Sequence, residues 1–585
     1  MQQPIGAHAL LADGRTAALV GPDGDVAWLC WPRVDSAPCL LSILDEQRGG
    51  CFAVRPEAAA ARLAERDYVA ASLVLRSVWT TPTGRLTVTD ALAWDGPQRL
   101  VRRLHADGGR VSVRVTFVPA LDAARATARL ERSGDHVVAS GGGVRLALRA
   151  PVDWRIDAGM ASGVLDLDDG DDTSLVLGDA GTSLSDDLAP TVAHWEAVAR
   201  RASGNRVAEH SLGVSVLGGP VASSLLLRSA TVFTGLRQRG GALVAAPTTS
   251  LPQWPGSSRT WDYRYAWLRD NALAALAMLR LGMVEDASAV GEFCGDVCAG
   301  GDPAPMLRVD GTAAPAEEKL DHLAGFYGAR PVRIGNAAAT QAQLDVLGEV
   351  LDLAWALFRA HALPTSLRRA VPQLADALVR RWQLPDHGIW EPRVPPRHHT
   401  HSRVMAWTGL RRAAALADHG AVSGSADAWR SAAATIRDAV LGTGSPTAPL
   451  LLHAGGGGAD AALTLLPLVG FLPCGDPRVT ATLDNIAATL GRNHLLDRYP
   501  PEADGLADPC GPFVFPTFWL AAALQRCGGD GAAPFAAACA ARGDLDLLGE
   551  VVDPAGGGPL GNYPQVQSHA ALVMAAVAPA LKEWD

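Results

Sequence analysis

The sequence is short of the features that mark several protein classes. No window approaches the roughly 20 uninterrupted apolar residues of a bilayer span, and Ala-rich stretches such as 570–580 read as buried helix. Residues 1–14 have neither the basic start nor the apolar run of a signal peptide. No Lys/Arg-rich block stands out and the formal net charge is -10, so no nucleic-acid partner is expected. Nine cysteines are scattered along the chain. Cys294 and Cys298 stand four apart, but no second pair lies at metal-ligand spacing. They read as small buried thiols. The expectation is a cytoplasmic protein with no disulfide framework, no structural zinc and no cofactor.

What is there is a large soluble chain. With 585 residues, 48% hydrophobic and 19% charged, it has core enough for about two to four domains. Short alternating runs such as Val111–Val115 and Val144–Leu148, punctuated by Gly, Asp and Pro, predict a β-sandwich over 1–200. The texture changes near Pro190. A helical linker is expected at 201–240, with a catalytic domain over 241–585. There, apolar residues at three- and four-residue spacing predict helices over Leu268–Leu281, Ala337–Ala360, Ser402–Ala417, Ala426–Val440, Phe515–Arg526 and Gln567–Leu581. About twelve helical segments from Ala222 onward suggest hairpins arranged as a toroid or solenoid.

The loops between these helices carry the unusual residues, so chemistry is expected there. Thr260–Asp270 holds Trp261, Asp262, Arg264, Trp267, Arg269 and Asp270. Aromatic faces with planar charged groups suit a pyranose, although a structural ion-pair knot has the same composition. Glu317 and Glu318 stand together before His322, Arg333 and Asn336; a solvated acidic loop explains the glutamates equally well. Trp390, Glu391 and Arg393 follow in a third loop, ahead of His398, His399 and His401, which read as hydrogen-bonding residues and not as metal ligands. The loop from Arg498 to Phe513 holds Asp504 and Asp508. The last carries Glu550, then Gly561-Asn562-Tyr563-Pro564 before the final helix.

Together these segments closely resemble the bacterial branch of glycoside hydrolase family 15, which includes glucoamylases, glucodextranases and trehalases. The resemblance runs from Ile5-Gly6 and Asp23-Gly24 through Ala245–Pro252, Trp261–Asp270 and Pro331–Ala337 to Gly388–Glu391 and Gly561–Gln565. It implies an N-terminal β-sandwich before a six-hairpin (α/α) toroid, with inverting hydrolysis of an α-glucoside from its non-reducing end. By motif position Glu391 resembles the general acid and Glu550 the general base. Arg269 and Asp270 resemble the pair that grips the terminal glucose, with Trp261, Arg333 and Trp390 lining the pocket.

The expected partner is a small α-glucoside or oligosaccharide: trehalose, maltooligosaccharide or isomaltose. Neither a membrane nor a particular oligomeric state is implied. The chain also departs from the family pattern. Pro509 and Cys510 stand where relatives carry acids, Arg411 reverses a charge, and Val551 and Val552 surround the proposed base with aliphatic groups. Those valines are expected to desolvate Glu550 and raise its pKa. A catalytically impaired sugar-binding scaffold of the same fold is the alternative reading.

Overall fold

The computed structural model of the protein describes residues 2–203, 219–442, 445–453 and 456–577. Strands fill the chain from Ala9 to Asp179, and helices dominate from Ala189 onward. An eight-stranded antiparallel sheet is built from the strands between Arg62 and Asp107 together with those of Arg129–Arg149 and Asp172–Asp179. A four-stranded sheet lies against it and includes Cys51–Pro56 and Val111–Val118. In the latter strand Val111, Val113, Val115 and Phe117 are buried in strict alternation, as a one-faced strand requires. Arg102 ties the two sheets together. It bonds Asp90 at 2.8 Å beside it, donates to the Phe52 carbonyl of the other sheet at 2.7 Å, and covers the Phe52 ring.

A third sheet, Ala9–Ala12, Ala17–Val20, Val26–Cys30 and Pro38–Leu40, is buried throughout. It joins the β domain to the helices. Trp28 Nε1 donates to the Pro247 carbonyl at 2.8 Å, and Arg264 reaches the Ser36 carbonyl at 2.5 Å.

Helix α1 (Ala189–Ser203) packs on α2 (Gly219–Leu236). Of the segment read as a linker, 204–218 lies outside the described residues. Helix α2 itself belongs to the toroid, because it packs on the last helix and closes the ring. Six hairpins result. The inner ring is α3 (Leu268–Arg280), α5 (Asp345–Arg359), α7 (Thr400–Asp418), the short turn Ala461–Leu465, α10 (Val514–Arg526) and α12 (Val566–Val577). The outer ring is α2, α4 (Val284–Val297), α6 (Thr365–Arg381), α8 (Ala426–Leu441), α9 (Pro477–Leu490) and α11 (Ala532–Ala540).

Composition sets which ring a helix joins. Every residue of α10 from Val514 to Ala523 is buried, whereas α6 buries a stripe at Leu367, Ala370, Val371, Leu374, Ala375 and Leu378 and exposes Arg368 and Arg369. Helices α5 and α7 cross closely at Gly348 and Gly409, where a Cβ on Gly348 would collide with the Met405 carbonyl.

Two expectations fail here. Cys474 and Cys527 form a disulfide across 53 residues, with Cα atoms 5.0 Å apart; their separation in sequence gives no hint that the fold brings them together. His401, expected to hydrogen-bond in a loop, lies wholly buried in α7. Neither ring nitrogen has a partner among the described residues, and burial holds it neutral, pushed down to about 3. No helix among the described residues is long and apolar enough to cross a membrane.

Candidate active site

The N-terminal ends of the inner helices converge on one mouth of the toroid, with loops laid over them. Their partial positive charge there suits anionic groups. Two connected lobes lie at this mouth and share Tyr263, Trp390, Glu391 and Arg498 in their walls. The inner lobe is lined by Trp267, Arg269 and Asp270 from the start of α3, by Phe513 and Phe515 at α10, by Gln565 and Gln567 at α12, and by Glu391 and Glu550. The outer lobe adds Arg259, Trp261, Asn336, Gln341, Arg393, Tyr499 and Asp504.

Glu391 sits at a left-handed backbone position, φ 55°. Such strain in a non-glycine residue costs on the order of 1–3 kcal/mol and persists only where surroundings enforce it. Three donors converge on its Oε1: Trp267 Nε1 at 2.8 Å, Arg269 Nη2 at 2.9 Å and Gln343 Nε2 at 2.9 Å. Its Oε2 takes no hydrogen bond from the described residues, so Oε1 alone is anchored by them. Arg269 is held in turn by Gln343 Oε1 at 2.8 Å and by Asp345 at 3.3 Å.

Glu550 is buried, with both oxygens occupied. Tyr263 Oη donates to Oε1 at 2.6 Å and Gln253 Nε2 to Oε2 at 2.9 Å. Burial pushes its pKa up, against the pull of these two bonds and of Arg498. Val551 and Val552, which follow it in the chain, are both buried. Gly561 makes room for the carboxylate: at φ +76° its absent Cβ would fall 2.9 Å from Glu550 Oε2. The departures at 508–510 have local roles. Asp508 caps Ser258 N at 2.7 Å, and Cys510 Sγ lies 3.6 Å from Gln253 Oε1, behind the amide that serves Glu550.

Asp270 is also buried at the inner lobe. Burial first, then the charges of Glu391 and Glu550, raise its pKa to about 7 against the opposing Arg269. Arg498 lies over the rings of Tyr499 (4.9 Å) and Phe513 (4.4 Å), with Asp504 3.9 Å away. Trp390 stacks on Phe515, and its Nε1 is fixed by Asp460 at 2.8 Å.

In the outer lobe Trp261 is held between two guanidinium groups, Arg333 at 4.8 Å and Arg393 at 4.3 Å from the ring centroid. Glu317 clamps both arginines. Burial works against its ionisation, but the Arg393 hydrogen bond and the two positive charges hold its pKa below the ordinary value. Glu318 is exposed and pairs with Arg125.

Of the residues read from sequence, Glu391, Glu550, Trp261, Trp267, Arg269, Asp270, Asn336, Trp390 and Arg393 line the two lobes, and Arg333 backs Trp261. Asp262, Arg264 and His322 require correction. Asp262 and Arg264 form a fully buried pair (2.7 Å) that also bonds Gly335 N and the Ser36 carbonyl, a joint between domains and not a sugar contact. His322 meets the Ala123 carbonyl of the β domain at 2.9 Å. Sequence reasoning passed over Gln253, Tyr263, Gln343 and Arg498. Tyr263 and Arg498 stand in chemistry-bearing loops; nothing local marks the two glutamines.

Comparison with known proteins agrees with this arrangement. The profile described as "Glycosyl hydrolases family 15" matches residues 220–534, and "Trehalase-like, N-terminal" matches 1–179. The "Trehalase" of Mycolicibacterium smegmatis is 34% identical, over 98% of this chain and 91% of that relative. "Trehalase 2" of Sulfolobus acidocaldarius is 30% identical, over 97% and 98%. In fold, the chain superposes on a bacterial glucoamylase solved with acarbose at a TM-score of 0.71 and 14% identity, covering 99% of this chain and 94% of that one. A β domain leading into six helical hairpins, two glutamates at one mouth of the ring and these near-full-length relatives give one answer: the chain belongs to glycosyl hydrolase family 15 and is a glycoside hydrolase.

Proposed function

We propose that this enzyme hydrolyses trehalose with inversion, Glu391 acting as general acid and Glu550 as general base. The observation that carries the mechanism is that both carboxyl groups line the inner lobe, one anchored through Oε1 alone and the other fixed on both oxygens. The choice of sugar rests on the relatives named trehalase and on the trehalase-like N-terminal profile.

One glucose occupies the inner lobe against Trp390, its hydroxyls meeting Asp270 and Arg498. The second occupies the outer lobe beside Trp261 and Arg393. Glu391 delivers a proton from Oε2 to the glycosidic oxygen as the anomeric C–O bond breaks. Glu550, ionised, takes a proton from a water that attacks the same carbon from the opposite face. That route needs carboxyls about 6.5–9.5 Å apart, leaving room for the water. Arg269, Trp267 and Gln343 keep Glu391 Oε1 in place, so that Oε2 alone moves the proton. Tyr263 and Gln253 stabilise the ionised base.

The test is glucose release from trehalose, maltose and isomaltose by the wild type, Glu391→Gln and Glu550→Gln. Turnover of trehalose above the other two, lost in both variants, is expected. Preference for maltose or isomaltose would overturn the substrate, and full activity in either variant would overturn that residue's role.

A further inference from the structure

Glu317 and Glu318 are neighbours in sequence and face opposite ways. The strand Glu318–Lys319 pairs antiparallel with Arg333–Ile334, and successive side chains along a strand point to opposite sides. Gly335 lets the two segments close together: at φ +76° its absent Cβ would fall 2.5 Å from the Ala316 carbonyl oxygen. Glu317 is thereby turned inward, half-buried, against the arginines of the outer lobe. Glu318 is exposed and turned toward the β domain.

On the inner side one carboxylate serves two cations. Glu317 Oε1 accepts from Arg333 Nη1 at 2.6 Å and from Arg393 Nη1 at 3.0 Å. Oε2 accepts from Arg393 Nη2 at 2.5 Å and from Ala337 N at 3.3 Å. Both guanidinium groups lie over the Trp261 ring. Like charges gathered on one ring repel, and the carboxylate bonded to both offsets that repulsion. Arg393 stands two residues after Glu391, so the same carboxylate ties the Glu391 loop to the Arg333 loop. On the outer side the β domain grips the strap 317–324 at several points. Arg125 pairs with Glu318 at 3.0 Å, and Arg48 Nη1 donates to the His322 carbonyl at 3.0 Å. His322 Nε2 donates to the Ala123 carbonyl at 2.9 Å, and Ala324 N donates to Asp45 at 2.9 Å.

We propose that Glu317 is a positioning residue for the leaving glucose, and that the β domain sets this subsite through the strap 317–324. The inference rests on the reading in which the outer lobe takes the second sugar. Glu317 acts through Arg393 and Trp261, which line that lobe. Its paired oxygens match the planar fork of Arg393, which fixes the guanidinium in one orientation. Losing the charge leaves two guanidinium groups beside one ring with nothing to hold them there. The walls around the first sugar come instead from the starts of α3, α10 and α12, so the inner lobe keeps its shape when the clamp is loosened.

Two substrates separate the subsites. Trehalose fills both lobes, whereas α-glucosyl fluoride puts a glucose in the inner lobe and only fluoride beyond it. In steady-state kinetics on the full chain, Glu317→Gln is expected to raise KM for trehalose about 10-fold, with kcat changed less, and to lose at least ~5-fold more on trehalose than on α-glucosyl fluoride. The double variant Arg48→Ala/Arg125→Ala, at two exposed positions of the β domain, is expected to raise the trehalose KM about 2–3-fold, as weak surface contacts allow, and to leave α-glucosyl fluoride hydrolysis unchanged. Thermal melting checks that Glu317→Gln folds, and the double variant carries the test if it does not. An unchanged trehalose KM in Glu317→Gln, or equal losses on the two substrates, overturns the role of Glu317. An unchanged trehalose KM in the double variant overturns that of the β domain. Wild-type turnover of maltose or isomaltose and not of trehalose means that the choice of substrate has failed; the same comparison is then made with that disaccharide, whose leaving glucose meets the same wall, and the same outcomes decide.

Discussion

Replacing Tyr263 by Phe removes a single group from the site, the hydroxyl that donates to Glu550 Oε1 at 2.6 Å. The ring keeps its edge-on contact with Trp267, 5.6 Å between centroids. A hydrogen bond to a charged group contributes about 1.5–3 kcal/mol. Divided by 1.36 kcal/mol per pH unit, that is a change of about 1–2 units. The sign follows from the state the bond favours. The phenol stabilises the carboxylate, so losing it leaves burial less opposed and the Glu550 pKa, already raised, rises further. A general base works only when ionised, so activity is present above that pKa and falls away below it. The acid limb of kcat/KM for trehalose therefore moves up by about 1–2 pH units in Tyr263→Phe, while the plateau at higher pH changes less. Full pH–rate profiles of both proteins are the assay. An unmoved limb, or one moved toward lower pH, would refute the assignment of Glu550 as the group that must ionise.

Three further outcomes are expected. Glu391→Gln lowers trehalose turnover by about 10²–10⁴-fold but largely keeps hydrolysis of α-glucosyl fluoride, whose leaving group needs no proton; stopped-assay kinetics on both substrates distinguish the acid from the base, since Glu550→Gln loses both. Asp262→Asn breaks the buried pair with Arg264 and costs about 3–5 kcal/mol, seen as a lower midpoint in denaturant melts; KM in the surviving folded protein stays the same, and a large KM change would return Asp262 to the substrate site. Gly348→Ala forces a methyl against the Met405 carbonyl at the α5–α7 crossing and costs about 1–3 kcal/mol as overpacking, measured by calorimetry, where an unchanged melting temperature would contradict the close approach.

Periodicity made the barrel legible, because inner and outer helices differ in how many sides they bury. The expected helix Leu268–Leu281 corresponds to α3 almost residue for residue. The expected helix Ala337–Ala360 is broken: Asn336 caps a short turn at Ala337–Thr340, the chain then turns through Gln341–Leu344, and α5 starts at Asp345. That break delivers Gln343 to Glu391, and alanine-rich sequence conceals it because propensity is blind to tertiary demand. Composition alone could not separate Asp262 and Arg264 from Arg269 and Asp270, all within nine residues of one loop and helix start. Both pairs are buried and charged, and only the packing of the β domain on Arg264 tells them apart. Gln253 was invisible for a different reason. It serves Glu550 from nearly 300 positions away, a contact made by the fold and by nothing in the local sequence.

The most direct test of the central claim is the anomeric form of the products, read by NMR in the first seconds of trehalose hydrolysis. Inversion at the attacked carbon, with the other glucose released unchanged, predicts equal amounts of β- and α-glucose, formed by the wild type and by neither Glu391→Gln nor Glu550→Gln. Release of α-glucose alone would contradict the assignment of Glu550 as a base acting through water.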